Sequence, residues 1–223
     1  MKKFSFIKKY WDNYYKTNSL GLKESAFAKF CIKELEKKKI NHIIDVGSGN
    51  FRDSIFFLRN NFNVTALDIN NEAYKKNQKK LNQFNKKFRF ISDKVQNINK
   101  YRFKRKIDAI YARFFIHTIS DNVEYQFLKW CHATLKNNCY LFIETRIILD
   151  KEITKYATKA SSRNTYEFEK GHFRRLINPD RFTKRIINLG FKIKYLNISR
   201  NFSKIKLKNK IDNPILLRTI LYK

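Results

Sequence analysis

The sequence predicts an α/β fold around a mainly parallel sheet, on three observations. Short apolar runs recur at residues 43–44, 64–68, 88–91, 107–112 and 140–143. Stretches with helical spacing fall between them, the alternation that builds βα units. The first run leads through the glycine turn Gly47-Ser48-Gly49-Asn50 straight into helical spacing at Ile55, Phe56 and Leu58.

In chain order, residues 4–15 read as an aromatic-rich amphipathic helix with Trp11, Tyr14 and Tyr15 near its end. Gly21-Leu22 breaks it, and residues 25–39 form a second helix with Phe27, Phe30, Cys31 and Leu35 on one face. The strand at 43–45 ends in Asp45, and the strand at 64–68 ends in Asp68. A lysine-rich helix over 71–84 follows, with Asn70 or Asn71 as its N-cap. Residues 88–91 alternate as a third strand and end at Ser92-Asp93; residues 107–112 form a fourth. A helix over 124–135 precedes the fifth strand at 140–143, which ends in Glu144-Thr145-Arg146. Between 150 and 169 the apolar periodicity fades, as in a substrate-covering loop or short helix. Pro179 opens a helix to Leu189, Gly190 caps it, residues 191–198 form a sixth strand, and 214–222 the last.

At 223 residues the chain suits one domain. It has no apolar run of the roughly 18–20 residues that a membrane span needs, and its start lacks the apolar segment of a signal peptide. The three cysteines, Cys31, Cys131 and Cys139, show no metal spacing. The expectation is a reduced, cytoplasmic protein without a metal. The 49 Lys and Arg against 19 Asp and Glu give a formal charge of +30. Such an excess attracts polyanions at low salt. Heavy use of Lys, Asn, Ile and Phe, all codable by A/T-only triplets, and the spread of lysines along the chain favour composition as its source.

The glycine turn carries the chemistry. Glycine lets backbone approach a ligand, and the helix behind it offers free N–H groups to an anionic group. A dinucleotide fingerprint lacks its third glycine here, since Arg52 stands in that place. Asp68, about 20 residues on, sits where an acid meets ribose hydroxyls. Asp45-x-Gly47-x-Gly49 with Asp68 resembles the class I S-adenosylmethionine-dependent methyltransferases. More narrowly, residues 47–54 (GSGNFRDS) resemble the G-x-G-N-G-R-[DN]-S turn of small bacterial members, with Phe51 where that family has glycine.

The resemblance implies a Rossmann-like sheet of seven strands, mostly parallel with the last antiparallel, and helices on both faces. It implies a helical cap over 1–40, a core over 41–223 and a substrate-covering segment over 147–178, with Trp11 and Tyr14 as lid residues. It implies S-adenosylmethionine as cofactor, held by Asp45, Gly47, Ser48, Gly49, Asp68, Ile69, Asp93, Ala112 and Arg113. Two further segments, YARFFIHTI at 111–119 and GHFRRLI at 171–177, resemble methyltransferases found with bacterial surface-polysaccharide genes. The first does not resemble the Asn/Asp-Pro-Pro-Tyr signature of many nucleobase amino-group methylases.

The expected reaction is therefore methyl transfer, by an O-methyltransferase, to a small or glycan-linked anionic acceptor: phosphate, phosphoramidate or sugar oxygen. Arginine forks onto such groups, so Arg52, Arg113, Arg146, Arg174 and Arg175, with Tyr14, His117, Tyr166 and His172, are the candidate substrate contacts. Arg113, His117, Glu144 and Arg146 are the candidate catalytic residues, His117 or Glu144 serving as base for a sugar hydroxyl. An RNA methyltransferase and a non-catalytic polyanion-binding protein are the alternatives, and the oligomeric state stays open.

Overall fold

Successive residues of a strand point to opposite faces of a sheet, and the computed structural model covers both faces. It describes residues 2–17, 21–101, 103, 107–149, 157–160, 164–169, 172–206 and 211–223. The elements are α1 (Lys2–Thr17), α2 (Ala26–Lys37), β1 (His42–Val46), α3 (Arg52–Arg59), β2 (Asn63–Asp68), α4 (Asn71–Leu81), β3 (Phe88–Ser92), β4 (Ile107–Arg113), α5 (Asp121–Thr134) and β5 (Leu135–Arg146). There follow β6 (Thr158–Lys159), β7 (Thr165–Glu169), β8 (His172–Arg175), α6 (Pro179–Asn188), β9 (Lys192–Ser199), β10 (Ile205–Lys206), β11 (Ile211–Asp212) and β12 (Leu216–Tyr222).

Seven strands form the main sheet in the order β3-β2-β1-β4-β5-β12-β9. The β1–β2, β1–β4, β2–β3 and β4–β5 pairs are parallel, and β12 runs antiparallel between β5 and β9. Ile43, Ala109, Tyr111 and Phe142 pack with Phe27 and Leu35 of α2 and Phe57 of α3. Their neighbours Ile44, Ile110, Ala112 and Ile143 pack on the other face with Phe127 and Leu128 of α5 and Phe182 and Ile186 of α6. Polar side chains start the helices: Ser25 Oγ accepts from Ala28 N, Asn70 Oδ1 from Ala73 N, and Asn178 Oδ1 from Arg181 N ahead of Pro179.

Three boundaries differ from expectation. The helix expected over 71–84 ends at Leu81 and passes into a 3₁₀ turn over Asn82–Phe84. The fifth strand begins at Leu135, because β5 pairs with β4 from Ile107 onward and with β12 up to Tyr222. In the stretch expected as loop or short helix, the described residues form β6 and β7, which join β8 in a small antiparallel sheet. Thr165-Tyr166-Glu167-Phe168-Glu169 alternates, but its apolar members are aromatics on a half-buried sheet, so no continuous apolar run marks it. Residues 150–156, 161–163 and 170–171 of that expected segment lie outside the described residues.

Candidate active site

The carboxyl ends of β1, β2, β3 and β4 meet at one side of the sheet, where an open parallel sheet takes its ligands. Gly47 has φ +74° and Gly49 φ +55°. A Cβ on Gly47 would lie 2.6 Å from Phe115 Cδ2, and one on Gly49 would lie 2.5 Å from Tyr15 Oη. Both positions therefore need glycine for backbone angle and for space. Phe51 takes φ +64°, a left-handed conformation that costs a side-chain-bearing residue about 1–2 kcal/mol. Its fully buried ring packs edge-on against Phe90 at 5.1 Å and against Tyr74 and Phe88, away from the turn. The turn thus keeps its shape without the family's glycine.

The turn is tied to Asp68, whose Oδ2 accepts from Gly49 N at 2.9 Å and whose Oδ1 accepts from Asn70 N at 2.9 Å. Burial pushes the Asp68 carboxyl up to about 6, against those backbone bonds. Burial also raises Asp93, but hydrogen bonds from Tyr101, Asn97 and the Lys94 N–H outweigh it and hold it below its usual value. Ser48 Oγ is buried and has no hydrogen-bond partner among the described residues. Such an orphaned atom beside the turn suits a bound ligand.

Above the turn lies a cavity of 1090 Å³. Its lining includes Gly47, Asp68, Ile69 and Asp93 together with Phe114, Phe115, His117, Phe173 and Phe182. Ile7, Trp11 and Tyr15 of α1 also line it. Of the expected lid residues Trp11 faces the cavity, whereas Tyr14 packs on Trp11 and Tyr15 and is not among its lining. Tyr15, missing from the candidate residues, takes that place, and burial raises its hydroxyl pKa far above normal. Its only sequence signal was its place one residue beyond Tyr14.

His117 is 2% exposed. Its Nδ1 accepts from Arg146 N at 3.4 Å and lies 3.1 Å from Thr145 Oγ1. Because a backbone N–H only donates, Nδ1 carries no proton and the neutral ring holds it on Nε2. Burial, then Arg174, Arg146, His172 and Arg175, press its pKa well below normal. His117 is thus a neutral hydrogen-bond donor, not the general base expected of it. His172 closes α1 onto β8. Its Nε2 accepts from Arg174 Nε at 3.1 Å, so Nδ1–H donates to Tyr10 Oη at 3.0 Å, with the rings stacked at 4.6 Å.

Other expected residues do other work. Glu144, fully buried, accepts from Arg113 Nε at 2.9 Å, Arg218 Nε at 2.5 Å and Ser203 Oγ at 3.2 Å, so its oxygens are occupied and it is no free base. That pairing turns the Arg113 Nε inward, with the guanidinium 4.0 Å from the Phe114 ring. Arg175 pairs with Glu124 and Asp121 and donates to the Ile116 and Ile119 carbonyls, bracing the cavity wall instead of offering a free fork. Asp45 is buried, accepts from Ser54 Oγ at 2.5 Å and orders the start of α3, off the cavity. Ala112 is buried in β4, Arg52 lies 3.9 Å from Asp53, and Tyr166 pairs across from Arg174 in the small sheet. Of these expected residues Arg175 alone lines the cavity; Glu144, Arg113, Asp45, Ala112, Arg52 and Tyr166 do not, nor do Arg146, His172, Arg174, Ser48 or Gly49.

Residues 43–138 match the family model described as a methyltransferase domain. No curated protein matches. Among solved structures, an S-adenosylmethionine-dependent methyltransferase from Clostridium acetobutylicum is similar with a TM-score of 0.65 at 12% identity, covering 88% of this chain and 90% of that one. The 1,6-didemethyltoxoflavin-N1-methyltransferase of Burkholderia thailandensis, solved with S-adenosylhomocysteine, gives 0.63 at 15%, covering 90% and 79%. A glycopeptide N-methyltransferase, also with S-adenosylhomocysteine, gives 0.65 at 10%, covering 90% of each chain. The chain has the class I S-adenosylmethionine-dependent methyltransferase fold, and its methyltransferase-domain match spans the turn, Asp68 and Asp93.

Proposed function

We propose that the protein transfers the methyl group of S-adenosylmethionine to an oxygen of a small or glycan-linked anionic acceptor, in surface-polysaccharide biosynthesis. The cofactor, when bound, supplies an already activated sulfonium methyl, which leaves alignment and shielding to the protein. Asp68 would accept from the ribose hydroxyls, Gly47 and Gly49 would let the backbone come close to the ligand, and Asp93 with Ile69 would hold the base. Trp11 and Tyr15 of α1 keep water from the cavity.

The observation that carries the acceptor class is His117. A neutral Nε2–H on the cavity wall, within the field of Arg146 and Arg174, suits an anionic oxygen. It holds that oxygen in line for transfer without taking a proton, and an oxygen already anionic needs no base. The polysaccharide setting is supported by the resemblance of residues 111–119 and 171–177 alone. A nitrogen acceptor on a flat ring is the second reading, favoured by the aromatic walls Phe114, Phe115, Phe173 and Phe182 and by the N-methyltransferase neighbours.

Methyl-labelled S-adenosylmethionine, incubated with the protein and cell extract, tests the proposal. Label in a glycan or anionic metabolite, lost in Asp68→Ala, is the expected result. Label on a nitrogen would select the second reading, and no label in any fraction would remove both.

A further inference from the structure

The basic excess is not even along the chain. Residues 107–149 hold four Lys and Arg against four acids, whereas residues 71–101 hold nine against two, Glu72 and Asp93, and residues 192–223 nine against one. In the fold, residues 71–101 form α4, the turn at 82–84, edge strand β3 and the turn at 95–100, so one of these two basic stretches lies along the β3 edge of the sheet. Both acids are engaged, Glu72 by Lys75 at 2.7 Å and Asp93 by Tyr101 and Asn97. Lys79, Lys80, Lys86, Arg89 and Lys100 are exposed and form no ion pair among the described residues.

The same edge holds a second cavity, of 410 Å³, lined by Tyr74, Leu81, Asn82, Asn85, Phe88 and Phe90. Tyr74 and Phe90 stack at 4.7 Å, and these rings and Phe88 are half-buried. Asn82 and Asn85 are exposed, and neither side-chain amide is hydrogen-bonded among the described residues. Lys75, Lys79 and Asn82 follow one another at four and three residues, which puts them on one flank of the helical turn.

We propose that this edge binds single-stranded nucleic acid. A nucleobase enters the aromatic slot, the asparagine amides meet its polar edge, and the lysines hold the flanking phosphates. Cationic surface combined with aromatic faces is the chemistry by which single strands are held. A duplex keeps its base faces stacked and has none to insert. An anionic glycan would use the lysines and leave the slot unused. The proposal does not depend on methyl transfer, because binding is read without cofactor or acceptor.

The test is fluorescence anisotropy of labelled oligo(U), oligo(A) and matching DNA, about 12 nucleotides long, with the full chain between about 50 and 200 mM salt. Lys79→Glu with Lys86→Glu is expected to weaken binding at least about tenfold and to lower the salt slope by about two. Asn85→Ala is expected to weaken it about threefold or more with the slope unchanged. Lys33→Glu with Lys192→Glu, exposed residues on α2 and the opposite edge strand, is the control pair and should change Kd less than about threefold. All these side chains are exposed, and circular dichroism confirms that the variants fold. An equal loss in the control pair would reduce the effect to net charge and overturn the proposal. So would no binding, or heparin competing as well as RNA with Asn85→Ala silent.

Discussion

Replacing Asp45 by asparagine should stabilise the protein at neutral pH, by an amount that grows as pH rises. Asp45 is 2% exposed, and burial lifts its carboxyl from an ordinary 3.8 to about 8, although Ser54 Oγ donates to it at 2.5 Å. Below 3.8 the folded and unfolded chains both hold the proton. Between 3.8 and 8 only the folded chain holds it, so stability falls as pH rises, by about 1.4 kcal/mol per unit. Asparagine keeps an acceptor for Ser54 and does not titrate. From pH 5 to 7 the stability of Asp45→Asn relative to wild type should therefore rise by about 2.7 kcal/mol. Urea unfolding at pH 5, 6 and 7, followed by the fluorescence of Trp11 and Trp130, measures that difference while titrations common to both proteins cancel. A difference that stays flat across the range would refute the assignment of a buried, proton-holding Asp45.

Gly49→Ala should weaken S-adenosylmethionine binding by calorimetry at least about tenfold, since the new methyl meets Tyr15 Oη and sits at φ +55°. Adding Tyr15→Phe should restore part of that loss, and no restoration would place the damage in the turn instead of the lid. Arg175→Met should cost about 3 kcal/mol of stability, because Glu124, 1% exposed, would keep only Arg185 as partner. Its cofactor affinity should hold; a rise in acceptor KM without loss of stability would return Arg175 to the substrate. His117→Ala should lower turnover about a hundredfold with cofactor affinity intact. Because burial and neighbouring arginines hold His117 neutral, the wild-type rate should show no step near pH 6.5; such a step would revive the general-base role.

The strand-turn-helix at Asp45, Gly47 and Gly49 was legible because its signals lie within a few residues of one another. Asp68 was legible because a strand of fixed length carries it to the same side of the sheet. Arginine and carboxylate roles were not, since their partners come from distant elements: Glu144 meets Arg113 and Arg218, and Arg175 meets Glu124 and Asp121. The tautomer of His117 depends on a backbone N–H 29 residues away, which no local pattern encodes. Phe51 stands in the sequence where the resembled family has glycine, and its ring is the centre of an aromatic cluster whose members lie at Tyr74, Phe88 and Phe90.

Helix α1 lines the cavity through Ile7, Trp11 and Tyr15, with Tyr15 above Gly49 and Tyr10 bonded to His172 on β8. Any opening of α1 would have a fixed boundary. Ser25, at the start of α2, donates through N and Oγ to Asp53 at 2.7 and 2.8 Å, and Tyr111 Oη donates to the same carboxylate at 2.7 Å. A swing of α1 would therefore stop at Ser25 and leave the core in place. Under the proposed reaction, entry of the methyl donor, entry of the acceptor and departure of both products would then share one gate, and the opening frequency of that gate would be the upper limit on turnover.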